Sequence, residues 1–303
     1  MRVTNQMIMD HSIKSMSESL GTLFELQQKA TTGKKFLNAS DDPASAATVF
    51  TLKSTLATSE VYLSTADTTR EWMSVNDSAL STASDITQKV ISLITRGLSD
   101  TNGVKERAII GTEINGLLNQ VVDLANSKHL DRYVFAGFST DTKPFVPVMD
   151  AVDPLKIASV NYKPGLPAGF QAIQREIGPG ETITANIDGQ STFVNLINTM
   201  IKVRDDLNAN DMTDLRLQMD NMNTAMDEVT HSLTNNGARM RNIDDTSSRI
   251  EKNNIDLESL LSLNEQVNMP EVLTMIKNQE TTYQLVVQIT SRTQSMLNLF
   301  DAL

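Results

Sequence analysis

From Leu215 onward, steps of four and three residues alternate through Leu215, Met219, Met222, Met226, Val229, Leu233, Asn236, Met240, Ile243, Ser247, Ile250, Asn254, Leu257 and Leu261, and eleven of these fourteen positions are apolar. An apolar period of 3.5 residues held this long specifies one continuous helix with a coiled-coil-like seam. At ~1.5 Å per residue that helix is roughly 70 Å long. The fold must therefore contain a rod, and other helices must cover its seam.

Covering helices are legible in the same way. Val49, Leu52, Leu56, Leu63 and Ala66, continuing towards Leu80, Val90 and Ile94, mark one helix, and Ile110, Ile114, Leu117, Val121 and Leu124 mark a second. Asp100-Thr101-Asn102-Gly103 separates them as a turn, so they are expected to fold back on each other. Both chain ends repeat the spacing. Met9, Ile13, Met16, Leu20, Leu23, Gln27 and Ala30 form one stripe, and Met275, Gln279, Thr282, Val286, Ile289, Thr293, Met296, Phe300 and Leu303 form the other.

Residues 137–193 break the pattern, holding six of the eight prolines and six of the thirteen glycines, so they cannot carry long helices. Ala158–Tyr162 and Glu181–Ile187 alternate in polarity and end at turn residues, as a small β unit would. The expected class is mainly α with a small β domain: a long antiparallel helical bundle or coiled coil built from both chain ends, with a β-rich insertion at the far end of the helical hairpin. The expected divisions are an amino-terminal helix over 1–39, a helical rod over 40–136 and 194–265, the insertion over 137–193, and a carboxyl-terminal helix over 266–303.

Composition narrows the function. A net charge of -11 repels nucleic acid and anionic membranes, so neither is an expected partner. With no cysteine, disulfides, thiolate metal sites and cysteine nucleophiles are excluded. No run of about 18 apolar residues is present, and the opening Met1–Met7 lacks the apolar core of a secretory signal, so neither membrane insertion nor a cleaved signal peptide is expected.

Four features invite a chemical reading. Gly33-Lys34-Lys35 has a phosphate-loop look, but the upstream glycine and the following Ser or Thr are replaced by Gln28 and Lys35. Asn38, Asp41 and Asp42 suggest a cation loop, yet the alternating ligands, glycine turn and distal Glu are missing. Helix punctuation fits the stretch better: Gly33 ends a helix with the two lysines near its carboxyl end, and Asp41 or Asp42 caps the next helix ahead of Pro43 at its first position. His11, His129 and His231 lie over 100 residues apart without ligand helpers, and are read as surface or packed residues. The methionines 219, 222, 226 and 240 sit at seam spacing, which is core packing with a capacity to repack. Asn38-Ala39-Ser40 matches a glycosylation sequon, given little weight without a secretory signal. Nothing gathers acids, bases or nucleophiles into a catalytic set, so neither an enzyme nor a cofactor is expected.

The two ends are expected to be assembly elements. Burying six seam residues, Met275, Val286, Ile289, Met296, Phe300 and Leu303, does not offset ordering the 29 residues from 275 to 303. The matching stripe of Met9, Ile13, Met16, Leu20 and Leu23 supplies part of a partner surface, and the rest must come from other molecules. Both ends are expected to be mobile in the monomer and to order on assembly.

Two stretches carry a family resemblance. "LQQKATTGKKFLNASDDPASAA", residues 26–47, resembles the amino-terminal signature of bacterial flagellins and their relatives, and "NNGARMRNID", residues 235–244, resembles their carboxyl-terminal return helix. The resemblance covers about 1–140 and 195–303. "RYVFAGFSTDTKPF", "MRVTNQM" and "MLNLFDAL" are most similar to the hook-associated branch of that superfamily, and the Met-Ala opening usual in flagellins is absent. The Gln-Arg pair that begins the flagellins' innate-receptor site is here Gln88-Lys89. The resemblance implies a structural, non-enzymatic protein of the bacterial flagellum, exported without cleavage and held at its carboxyl-terminal helix by an export chaperone. It further implies a homo-oligomeric junction ring contacting a neighbouring hook-associated protein and flagellin, with terminal helices disordered until they join the assembly. The alternatives are a short flagellin that forms the filament itself and, from another class, a cytosolic coiled-coil signalling rod.

Overall fold

The structure, a computed structural model, describes residues 5–151, 153–162 and 171–301. Six helices dominate it: α1 (Asn5–Thr32), α2 (Pro43–Gly97), α3 (Val104–Ala125), α4 (Asn195–Ala209), α5 (Met212–Glu265) and α6 (Met269–Asp301). A single π-helical turn, Gln190–Val194, leads into α4. Three antiparallel two-stranded hairpins lie between α3 and α4: β1 (Lys128–His129) with β2 (Arg132–Tyr133), β3 (Phe145–Met149) with β4 (Ile157–Tyr162), and β5 (Gln174–Gly178) with β6 (Glu181–Thr184). The chain divides into two compact units, Ser59–Glu251 and the combined ends, Met1–Thr58 with Lys252–Leu303.

The Ser59–Glu251 unit holds the main core. The two long helices run antiparallel there: Asn236 of α5 donates to the Met73 carbonyl of α2 at 2.9 Å, and the Ser84 hydroxyl of α2 donates to the Met226 sulfur at 3.8 Å. As one residue number rises the other falls. α3 folds back on α2, with the Lys89 and Arg96 side chains both reaching Glu113. The turn between them is stapled by Arg107, which donates to the carbonyls of Gly97 and Ser99 and to the side chain of Asn210.

The seam that begins at Leu215 is sheltered along its length: alternate positions Leu215, Met222, Val229, Asn236, Ile243 and Ile250 are buried, and the positions between them are half-buried. One face of α5 therefore supplies a continuous wall of the core. The largest apolar cluster joins it to Leu80, Val90 and Ile94 of α2, Ile114, Leu118 and Val121 of α3, and Leu196, Met200 and Leu207 of α4. A second cluster packs Ile177 and Ile183 of the β5–β6 hairpin on Ala66, Met73 and Ile243.

The β content consists of three separate two-stranded hairpins. Each strand near Ala158–Tyr162 and Glu181–Ile187 pairs with its sequence neighbour rather than with the other, and among the described residues no strand of one hairpin pairs with a strand of another. Each hairpin instead rests on the helices through a few apolar side chains, such as Phe145, which meets the ring of Phe193 at 5.9 Å. The β1–β2 hairpin begins before residue 137, and its turn residues Leu130 and Asp131 have φ values of 45° and 62°. Two-residue hairpin turns of this kind normally advertise themselves by Asn-Gly or Asp-Gly. Leu-Asp carries no such signal.

A buried cation ties the unit together. Arg204 of α4 is 1% exposed. It donates to both carboxylate oxygens of Asp205, to Asn115 of α3 at 2.9 Å and to the Ile157 carbonyl of β4 at 2.7 Å. Burial raises the Asp205 pKa, but Arg204 and Lys156 more than reverse this, holding its carboxyl below the usual carboxylate range. Asp206 moves the other way, raised by burial and then by the nearby charges of Asp214 and Asp211.

Candidate assembly interface

The unit formed by the two chain ends pairs α1 with α6. Gln279 of α6 donates from its side-chain amide to the carbonyl and hydroxyl of Ser19 at 3.1 and 3.0 Å, while the amide of Val267 donates to the Gly33 carbonyl at 2.9 Å. Moving from one pair to the other, the α1 number falls as the α6 number rises, so the helices are antiparallel. The polar interruption at Gln279 is thus a specific cross-helix pairing.

The faces that meet are not quite the stripes read from the sequence. On α1 the sheltered positions are Ser12, Met16, Ser19, Leu23, Leu26 and Ala30, and on α6 they are Val272, Ile276, Gln279, Tyr283, Val286 and Thr290. Both sets keep the alternation of four and three. Met16, Leu23 and Val286 face inward, but Met9, Ile13 and Leu20, with Met275 and Ile289, are exposed. Half of each expected seam is shifted by one residue, earlier on α1 and later on α6. Small serines on α1 let the helices approach, so the larger apolar residues are left on the outer face. The side chains of Met296 and Phe300, and Leu303 itself, lie outside the described residues.

That outer face is extensive. Leu20 is 50% exposed, Phe24 61%, Met275 45%, Leu285 54% and Ile289 62%. Single exposed apolar side chains are ordinary, whereas a run of large ones along a helix pair marks an interaction surface.

The junction that sets this pair in place is the polar stretch 33–42. Gly33 ends α1 with φ +70° and donates to the Lys29 carbonyl at 2.9 Å, a backbone state glycine adopts without a Cβ penalty. Lys34 then bridges to Gln266, and the Lys35 amide donates to the Glu265 carbonyl at 2.8 Å. Charge reinforces the contact. Glu265, its side chain only 14% exposed, pairs with Lys34 at 3.0 Å and with Lys53 of α2 at 2.8 Å, and the Lys35 ammonium donates to the Leu263 carbonyl. Hydrogen bonding from Lys53, aided by Lys34, outweighs burial and lowers the Glu265 pKa. Lys34 and Lys35 hold the α5–α6 corner rather than a phosphate.

The two aspartates divide their work. Asp42 accepts from the Ser45 amide at 3.1 Å at the start of α2, and that serine is the main cause of its lowered pKa. Asp41 accepts from the amides of Asn38 and Leu37 at 2.9 and 3.2 Å, closing the preceding turn, with the Asn38 amide the largest cause of its lowered pKa. Asn38 and Ser40 are exposed.

Other singled-out residues are dispersed. His11 is exposed on α1, His129 meets the edge of Trp72, and His231 contacts the Asn235 amide. Met222 is buried, and Met219, Met226 and Met240 are half-buried. Lys89 beside Gln88 is paired with Glu113. Among the described residues no helix is long and apolar enough to cross a membrane. Sequence reasoning missed Glu265 and Lys53, and nothing local marks them, because their pairing joins residues 212 positions apart.

Comparison with known proteins relates the chain to flagellar proteins. Residues 3–140 match the bacterial flagellin N-terminal helical region. Over 146 residues the chain is 30% identical to the flagellar hook-associated protein 3 of Escherichia coli (strain K12), an overlap of 48% of this chain and 46% of that protein. The chain thus spans about half the length of the curated relatives it matches. Among solved structures, Bacillus cereus FlgL aligns with a TM-score of 0.59 at 21% identity, over 70% of this chain and 99% of that one. A putative flagellar hook-associated protein from Vibrio parahaemolyticus aligns with a TM-score of 0.65 at 15% identity, over 74% and 99%. These likenesses establish the fold.

Proposed function

We propose, from the match of residues 3–140 to the bacterial flagellin N-terminal helical region, that the chain is a member of the flagellin superfamily and a structural component of the bacterial flagellum that self-assembles into a junction ring between hook and filament. One observation carries the reading: the paired α1 and α6 expose Leu20, Phe24, Leu285 and Ile289, apolar surface that another subunit would cover. The occupants are further copies of this chain, a neighbouring hook-associated protein and flagellin. Segments 1–39 and 266–303 are the assembly arms, 40–136 with 194–265 the helical rod, and 137–193 the outer insertion. An export chaperone holds α6 before assembly, and the chain leaves the cell without cleavage. Its work makes and breaks no bond.

The experiment is labelling of the protein on intact flagella. Label at one point per flagellum, where hook meets filament, is the expected result. Label along the whole filament would replace this reading with that of a short flagellin, and protein found only in the cytosol would replace it with a signalling rod. Leu20→Lys with Ile289→Lys, both on the outer face, is expected to leave the helical content of the monomer unchanged and to abolish the label on flagella.

A further inference from the structure

A cavity of about 260 Å³ lies within the Ser59–Glu251 unit, between α2, the β1–β2 hairpin and the β5–β6 hairpin. Its lining includes Trp72, His129, Arg132, Thr140, Ile173 and Arg175. Among the described residues no carboxylate lines it. On a chain of net charge -11, a cavity with two guanidinium groups and no acid is unusual, and the structure gives neither Arg132 nor Arg175 an ion pair among the described residues.

Two further features describe its wall and rim. The Trp72 indole N–H is buried without a hydrogen-bond partner, although a buried indole ordinarily finds one. At the rim, Leu130 takes a φ of 45° while its side chain is 83% exposed. The two-residue β1–β2 turn imposes that φ and holds the exposed Leu130 at the mouth of the cavity.

We infer that this cavity binds a carboxylate borne on a short apolar or ring-shaped body. A planar guanidinium matches the two oxygens of a carboxylate, Thr140 in the lining carries a further donor, and Trp72 with Ile173 offers the apolar wall. The volume is smaller than that of sites for drug-sized ligands, ~300 to 1,000 Å³, so the body is compact. The carboxylate arrives either as a free small acid or as an acidic side chain of a second copy of this chain. The inference stands apart from the junction reading, since it concerns only residues of the Ser59–Glu251 unit.

Trp72 is the sole tryptophan, so its emission reports on this site alone. Benzoate titrated into the dilute protein is expected to change the emission saturably, within about 10 mM, ten times a millimolar dissociation constant. Benzamide, the uncharged analogue, is expected to leave it unchanged. Arg132→Ala and Arg175→Ala should each weaken benzoate binding about tenfold, with far-ultraviolet circular dichroism unaltered because both side chains are exposed. Arg241→Ala, an exposed arginine elsewhere on the unit, should bind as the parent does. Without ligand, an emission that shifts with protein concentration and reverts with benzoate assigns the natural carboxylate to a second copy, while a concentration-independent emission assigns it to a free acid. The absence of a saturable response, an equal response to benzamide, or benzoate binding that survives the Arg132→Ala, Arg175→Ala double substitution would each overturn the inference.

Discussion

Asn236 donates from its side-chain amide to the backbone carbonyl of Met73 at 2.9 Å, a polar bond set into the apolar seam between α5 and α2. Its own side-chain oxygen is buried without a partner. A half-satisfied polar group costs stability, but it favours the one alignment in which its donor is used. Asn236 thus pins the register of the two long helices.

Replacing it should separate these effects. Asn236→Leu is expected to stabilise the chain by about 1 to 2 kcal/mol, from relief of the unpaired oxygen and added apolar burial. A urea denaturation midpoint that moves upward with unchanged slope checks this. A fall in the midpoint would show that the hydrogen bond to Met73 outweighs both gains.

The clasp at Glu265 makes the terminal unit sensitive to acid. Its carboxyl titrates below the ordinary value of 4.5 because Lys53 and then Lys34 stabilise the charged form. Its contribution is present above the unfolded pKa and disappears as pH falls through the lower folded value. The protection factors of the Lys35 and Val267 amides, which close the same corner and are taken relative to the intrinsic exchange rate at each pH, should fall on acidification through that range and with added salt. Glu265→Gln is expected to cost about 1 kcal/mol at neutral pH and to remove most of the acid dependence of exchange at this corner.

Arg204 predicts a larger loss. Arg204→Ala strips partners from Asp205, Asn115 and the Ile157 carbonyl and leaves a cavity beneath β4, so a destabilisation of about 3 kcal/mol is expected. Thermal or urea unfolding measures it. A change under about 1 kcal/mol would mean that water takes over the arginine's role.

The paired ends should open before the rest. Their mutual face holds Ser12, Ser19 and Gln279 among few buried apolar residues, whereas α5 lies against a continuous core up to Ile250. In dilute monomer, amides of α1 and α6 are expected to exchange faster than those of Leu215–Ile250. Equal protection would contradict the expectation that the ends order on assembly.

The long helices were legible in the sequence because a seam position is defined by its neighbours three and four residues away. That local period set the face of α5, and Gly33 and Pro43 likewise bound their helices through their own backbone preferences. On α1 and α6 the same reasoning identified helices but misplaced half of the mutual face, because both carry apolar residues on more than one side. Which side meets the partner depends on how closely the axes approach, and the small Ser12 and Ser19 decide that only once α6 lies alongside. The remaining features are long-range. Glu265 meets Lys53, Asn236 meets Met73, and Trp72 comes to share a cavity with Arg132 and Arg175. Such groupings leave no period in the chain. They exist because antiparallel helices and short hairpins bring distant residues to one depth in the tertiary structure, where burial strengthens the electrostatic terms that local sequence cannot express.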